Sequence, residues 1–358
     1  MSEASIKGIA VALNLSIGTV DRALHGRRGI NEKTRLRVLE KARELGYKPN
    51  YAARSLKLNR SLRVGVFLPA EFRIFFDAIR DGIRAACAAS ALITVEPVFY
   101  RYPRLGEGDV ELLEAHRNER FDACIVAPGN PAPMEPMLRA LIDGGTPVFC
   151  VATDAPASGR IAAVTVDAFT SGAMAAELIA RILPGTGSVV VMTGELATVD
   201  HAEKLRGFQR GLEEWAPGLK LLPVAECFEQ PERAFQLATS LLDSADRPSA
   251  IYINTALSVP VLRACEERGL LGRILLITTD IFPEIVPYLQ QGVVTATLHQ
   301  RPLTQGKVVA EQMIRYLTEG TVEESAVRLA PHLVMRSNLQ LFLGTDGSNP
   351  EDDLPQGD

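Results

Sequence analysis

The chain has 358 residues, 47% hydrophobic and 23% charged, a composition typical of globular proteins. At about 150 residues per folding unit the length suggests two to three units. No run approaches 18 uncharged apolar residues, the N-terminus lacks the basic-then-apolar order of a leader, and the five cysteines form no CxxC pair. These features argue against a membrane span, secretion, a disulfide framework and a redox motif, and fit a reducing cytoplasm.

The net charge of −5 conceals an uneven distribution: residues 1–63 hold 14 Lys or Arg against 5 Asp or Glu, and the rest hold 24 against 38. A basic head on an acidic body points to nucleic-acid contact by the head. In that head, Ile6, Ile9, Ala10 and Leu13 form one helical stripe. Asn14-Leu15-Ser16 breaks it, and the Ser16 hydroxyl is placed to cap a second helix carrying Thr19, Val20, Arg22, Ala23 and Leu24 as far as Gly26. A third helix is expected from Asn31 through Val38, Ala42 and Leu45 to Gly46. Two helices joined by a three-residue turn and backed by a third make a helix-turn-helix, assigned to residues 1–48. Residues 49–61 are polar and basic, with too little apolar surface to fold alone, and read as a hinge that orders on contact with a partner.

From Leu62 the pattern changes to β-branched runs (Arg63–Leu68, Ala123–Ala127, Val148–Ala152, Val164–Val166, Val189–Met192, Ile251–Ile253, Leu275–Thr278) separated by amphipathic stretches such as Phe75–Ala89, Phe169–Leu183 and Ala202–Trp215. Such alternation predicts an α/β body of parallel sheets with helices on both faces, in two Rossmann-like lobes. Lobe one is expected at about 62–161 and 296–325, and lobe two at about 162–295 and 326–344. Residues 345–358, rich in Gly, Pro and acids, read as a disordered tail.

Residues 6–56 carry a TV-x-R-x-L helix, an LGY-x-PN joint and an AR-x-L hinge, and closely resemble the lactose-repressor family of transcriptional regulators. The likeness extends to the body, which resembles that family's periplasmic-binding-protein-like effector domain. It implies a dimeric repressor on pseudo-palindromic operator DNA, controlled by a small sugar-like effector, with no cofactor. Ile17, Gly18 and Arg22 then occupy base-facing positions in the major groove, and Ser16 and Thr19 suit a phosphate. Arg22 either forks onto guanine O6 and N7 or contacts a phosphate. Two departures stand out: Gly18 leaves one reading position without a side chain, and Asp21 replaces the common Ser, either accepting from cytosine N4 or repelling phosphate. Leu56 falls at the family's minor-groove wedge position, flanked by Asn50, Arg54 and Lys57.

For the effector, Phe75 and Phe76 open a segment matching the FF-x4-DG entry of ribose-binding-type lobes. Asn254, Asp280 and Gln300 match polar positions of that type. Thr255 replaces an aspartate and Lys204 replaces a sugar-binding arginine, with His201 one turn earlier on the same helical face. Asp154 is a weaker match, displaced by two residues. The lysine keeps an acidic or phosphorylated sugar open beside a neutral one. There is no GxxxxGK[ST], GxSxG or HExxH motif, and the five histidines lack metal-ligand spacing. A sugar-metabolising enzyme with a basic appendage and an effector-independent DNA-binding protein remain the alternatives.

Overall fold

The computed structural model describes residues 5–24, 29–47 and 61–343. The expected hinge with Asn50, Arg54, Leu56 and Lys57, the helix-ending Gly26, and the expected tail all lie outside these residues.

In the head, helix α1 spans Ile6–Leu13, capped by the Ser5 hydroxyl, which accepts from the Gly8 N–H at 3.0 Å. Asn14 ends it in the left-handed conformation, tolerated by a short polar side chain. Helix α2 spans Ile17–Leu24 and helix α3 Glu32–Glu44, the latter capped by Asn31. Ile9, Ala10, Val20, Ala23, Val38 and Ala42 form the buried core that joins the three.

The body begins with a parallel sheet built from β1 (Leu62–Pro69), β2 (Val95–Tyr102), β3 (Ala123–Val126), β4 (Val148–Val151), β5 (Ala162–Val166) and β12 (Ala326–Leu329), in the order β12-β5-β4-β3-β1-β2. Helices α4 (Arg73–Ala89) and α12 (Pro302–Glu319) cover one face, and α5 (Asp109–Ala115) and α6 (Pro131–Asp143) the other. The second sheet is ordered β13-β11-β10-β9-β6-β7, from β6 (Gly187–Thr193), β7 (Leu219–Leu221), β9 (Ala250–Ile253), β10 (Leu275–Thr279), β11 (Ala296–His299) and β13 (His332–Val334), with β8 (Ala225–Glu226) also beside β6. Its faces carry α7 (Ala168–Ile182) and α8 (Val199–Trp215) on one side. On the other are α9 (Pro231–Asp243), α10 (Ser258–Glu267) and α11 (Val286–Gln291). Central strands such as β3, β4 and β9 are buried throughout, as their unbroken apolar runs require.

The lobe crossings fall later than expected. Residues 162–166 and 326–329 pair within the first sheet, and 296–299 within the second. The chain therefore changes lobes just before α7, just before α12 and between β12 and β13. Strand pairing decides these boundaries, and composition does not change across them.

In each lobe one helix pair crosses at glycines. A Cβ on Gly82 of α4 would strike the Leu303 carbonyl of α12, and one on Gly172 of α7 would strike the Lys204 carbonyl of α8. Gly306 and Gly207 make the reciprocal approaches. Glycine is what lets these backbones touch.

Candidate ligand cleft and DNA-reading helix

The head presents outward the side chains expected to read DNA. Ser16 caps α2, its hydroxyl accepting from the Thr19 N–H at 3.1 Å and lying 2.8 Å from the Thr19 hydroxyl. Ser16, Ile17, Gly18 and Arg22 are exposed, with Thr19 and Asp21 half-buried beside them. Ile17 leaves 54% of its surface in water, an apolar contact with no partner in the head's own core. The Arg22 Nε donates to the Gly18 carbonyl at 3.1 Å, which orients the guanidinium along the helix. The space beside Gly18 is open, with only the Ser16 hydroxyl 3.9 Å from where a Cβ would stand. Its missing side chain is a property of the reading surface and does not come from crowding.

In the body, seven of the eight residues expected to bind the effector meet at one cavity between the lobes. Phe75 and Phe76, from the start of α4, form a wall with their rings edge to face at 5.0 Å. His201 and Lys204 come from the first turns of α8, and Asn254, Asp280 and Gln300 follow β9, β10 and β11. Each polar member lies at the carboxyl end of a parallel strand or the N-terminal end of a helix, where open α/β sheets place ligands.

The backbone singles out the same place. Seven described non-glycine residues have positive φ; one, Asn14, is in the head turn. Of the other six, Phe72, Ala152, Glu229 and Asp280 line the cavity, and Phe228 and Arg301 adjoin Glu229 and Gln300. Left-handed geometry costs an ordinary residue roughly 1–2 kcal/mol. Its concentration here means surrounding packing overrides local preference to aim these side chains.

A continuous polar network follows. The Gln300 backbone N–H and its Nε2 donate to the two Asp280 carboxylate oxygens at 2.8 and 2.5 Å. Lys204 Nζ donates to Gln300 Oε1 at 2.8 Å, reaches the Asn254 carbonyl at 3.5 Å, and pairs with Asp200 Oδ2 at 2.6 Å. Asn254 Nδ2 faces the His201 carbonyl at 3.4 Å. His201 Nε2 lies 3.4 Å from Glu229 Oε1, and the Thr255 hydroxyl sits 2.8 and 2.7 Å from the two Glu229 oxygens.

Asp154 is the exception and requires correction. Its carboxylate is forked by Arg160, with Nη2 at 2.5 Å from Oδ2 and Nε on Oδ1. It faces an adjoining cavity and not the one above. The arginine that claims it lies six residues downstream, and the pairing depends on a turn that displaces the carboxylate from the cleft.

The sequence reading missed Phe72, Asp200 and Glu229 as cleft residues, and treated Thr255 only as a replacement for an acid. Asp200 was accessible by spacing, since it is four residues before Lys204 on one helical face. Glu229 had a positional signal, lying between a strand end and the proline that opens α9. With Thr255 holding Glu229, the acid missing after Asn254 is supplied by a neighbouring loop. The five cysteines are all buried; burial pushes the Cys87 and Cys265 thiols up to about 11, which leaves them poor nucleophiles.

Residues 64–321 match the family described as periplasmic binding protein domain, and residues 5–50 match bacterial regulatory proteins, lacI family. The chain belongs to the lacI family of bacterial regulators, built on a periplasmic-binding-protein body. Catabolite control protein A of Priestia megaterium is 25% identical over 92% of this chain and 97% of that protein. The HTH-type transcriptional repressor PurR of Vibrio atlanticus is 22% identical over 94% and 99% respectively. Among solved structures, GanP, a glucose-galactose binding protein from Geobacillus stearothermophilus, superimposes with a TM-score of 0.72 at 23% identity. That likeness covers 79% of this chain and 100% of GanP, and it describes the fold of the body. This lacI-family regulator is a DNA-binding transcription factor, and among its described residues no helix is long and apolar enough to cross a membrane.

Proposed function

We propose that the protein is a cytoplasmic, dimeric repressor whose operator affinity is set by a sugar-like effector held in the interlobe cleft. The observation that carries this reading is the division of the cavity wall. One lobe supplies the aromatic face of Phe72, Phe75 and Phe76, and the other supplies all of the charged groups. An aromatic face stacks on the C–H surface of a ring, while amides and carboxylates answer its hydroxyls. The cavity volume is about 50 Å³, against roughly 300 Å³ at the low end of ligand pockets. Admitting a ring requires the lobes to part or their side chains to rearrange, and a ligand touching both walls ties its binding to the relative position of the lobes. The three crossings between lobes transmit that movement, and the ligand's differential affinity for two arrangements becomes a difference in DNA affinity.

On the DNA, each subunit's α2 lies in the major groove of one half-site, with Ser16, Ile17, Thr19, Asp21 and Arg22 against the duplex and two-fold symmetry making the operator a pseudo-palindrome. Leu56 serves as the minor-groove wedge, with Asn50, Arg54 and Lys57 on the backbone.

The test is operator binding by the full-length protein with and without monosaccharides, polyols and their derivatives. At least one should change operator affinity, and Asp280→Ala should bind operator normally yet lose the response. Removing the carboxylate leaves ligand hydroxyls and the Gln300 donors unpaired, at a cost of roughly 1–3 kcal/mol. Operator affinity indifferent to every compound would sink the effector reading, and unaltered response in the variant would sink the cleft.

A further inference from the structure

The charges that line the cleft identify the class of effector more narrowly, on the reading that the cleft binds a sugar. Three carboxylates, Asp200, Glu229 and Asp280, share the cavity with one ammonium, Lys204, and one imidazole, His201. Lys204 is 1% exposed, and its three N–H groups have three protein acceptors in Asp200, Gln300 and Asn254. No donor of Lys204 is left over for a phosphate or carboxylate on a ligand. Asp280 is equally well served, by two donors from Gln300.

Glu229 is the carboxylate that remains short of positive charge. It is 3% exposed, and its side-chain partners among the described residues are a threonine hydroxyl, which has a single proton to give, and His201 at 3.4 Å. It is delivered there by two consecutive left-handed non-glycine residues, Phe228 and Glu229 at φ 53° and 54°. Buried carboxylates are expensive unless paired with cations or several donors, and the fold accepts strained backbone to bury this one.

A second set of observations points to a donor-bearing ligand. Asn254 Oδ1 and Asp200 Oδ1 are buried and find no hydrogen-bond partner among the described residues. Asn254 is fully buried, and its amide orientation follows from its neighbour, because the nitrogen must face the His201 carbonyl. Its oxygen is therefore a spare acceptor, and Asp200, which lines the same cavity, offers another.

We infer that the effector is an amino sugar, a hydroxylated ring whose protonated amine pairs with Glu229 and whose hydroxyls donate to Asn254 and Asp200. An anionic sugar, left open by Lys204 on sequence alone, is disfavoured because that lysine is fully engaged.

The experiment uses the full-length protein and matched sets of probes: glucose, glucosamine, N-acetylglucosamine and glucose 6-phosphate, with the corresponding galactose and mannose sets. Calorimetric titration is run at a pH where the amines are protonated. In at least one set the free amine should bind at least tenfold more tightly than the neutral sugar and its N-acetyl derivative, with the phosphate weakest. Glu229→Gln, which keeps the side-chain shape, should collapse that ratio toward one. A neutral or phosphorylated member binding as tightly as the amine or tighter overturns the inference while leaving the sugar cleft standing. A preference that survives in Glu229→Gln overturns the assignment to Glu229. No binding by any probe overturns the inference, and the sugar reading is then decided by the wider operator-binding screen. The comparison among probes on the unaltered chain decides the ligand class even should the variant fail to fold.

Discussion

The head holds the side chains proposed to read DNA out in solvent, whereas the body holds those proposed to bind the effector almost entirely inside. Ile17 and Arg22 stand on the surface of a three-helix unit whose core is a handful of small and β-branched residues. Lys204, Asn254 and Asp280 are at most 4% exposed and belong to one hydrogen-bonded network at the strand ends of the second lobe. The difference follows from the size of what is bound. A duplex is larger than the domain reading it and brings its own rigid shape, so the reader needs only a projecting row of side chains. A small molecule has to be surrounded before its few groups yield useful affinity. Recognition and stability are therefore separable in the head and entangled in the body.

The largest test of that contrast is Phe76→Ala. Phe76 is 2% exposed and lies both in the core of the first lobe and on the cleft wall. Its truncation should destabilise the body by roughly 3–5 kcal/mol in chemical denaturation and weaken ligand binding in the same variant. Loss of binding with full stability would show that the two are separable there after all. Arg22→Ala should do what no cleft variant does: lower operator affinity by roughly 1–3 kcal/mol and relax preference at one base pair per half-site, with the thermal midpoint unmoved. Equal weakening on all sequences would make Arg22 a phosphate contact instead.

A smaller effect sharpens the picture of the body. Burial, with Glu226 close by, raises the Glu195 carboxyl from an ordinary value of 4.5. A raised carboxylate contributes stability in its protonated form, fully present below pH 4.5 and lost as pH climbs through the raised value. Glu195→Gln should therefore gain on the parent in melting temperature as pH rises from 4.5 toward 7. Parallel melting curves across that range would remove Glu195 from the pH response.

The head and the alternation of the body were readable because both rest on local periodicity. The three-helix pattern and the β-branched runs each express burial over a few residues. Strand β2 escaped because Val95–Tyr102 carries Glu96, Pro97 and Arg101 and lies at a sheet edge, half in water, so its sequence has no apolar run to find. Its N–H positions need satisfy only one neighbour, which is where proline is tolerated in a sheet. Glu229 and Asp154 failed for a common reason, in opposite directions. Whether a carboxylate reaches the cleft depends on backbone turns at Phe228–Glu229 and at Ala155–Arg160, and side-chain identity does not encode them.

The glycine crossing of α7 and α8 has a bearing on how this regulator could be redirected. Because Gly172 rests against the carbonyl of Lys204, the first turns of α8 have a backbone contact with α7 that does not involve the side chains lining the cleft. Asp200, His201 and Lys204 are thus mounted on a platform that does not depend on their identity. On the proposed function, exchanging those three positions, with Glu229 and Thr255, should change the effector accepted while the crossing holds the helix in place. A library that varied Gly172 or Gly207 would instead shift the platform itself.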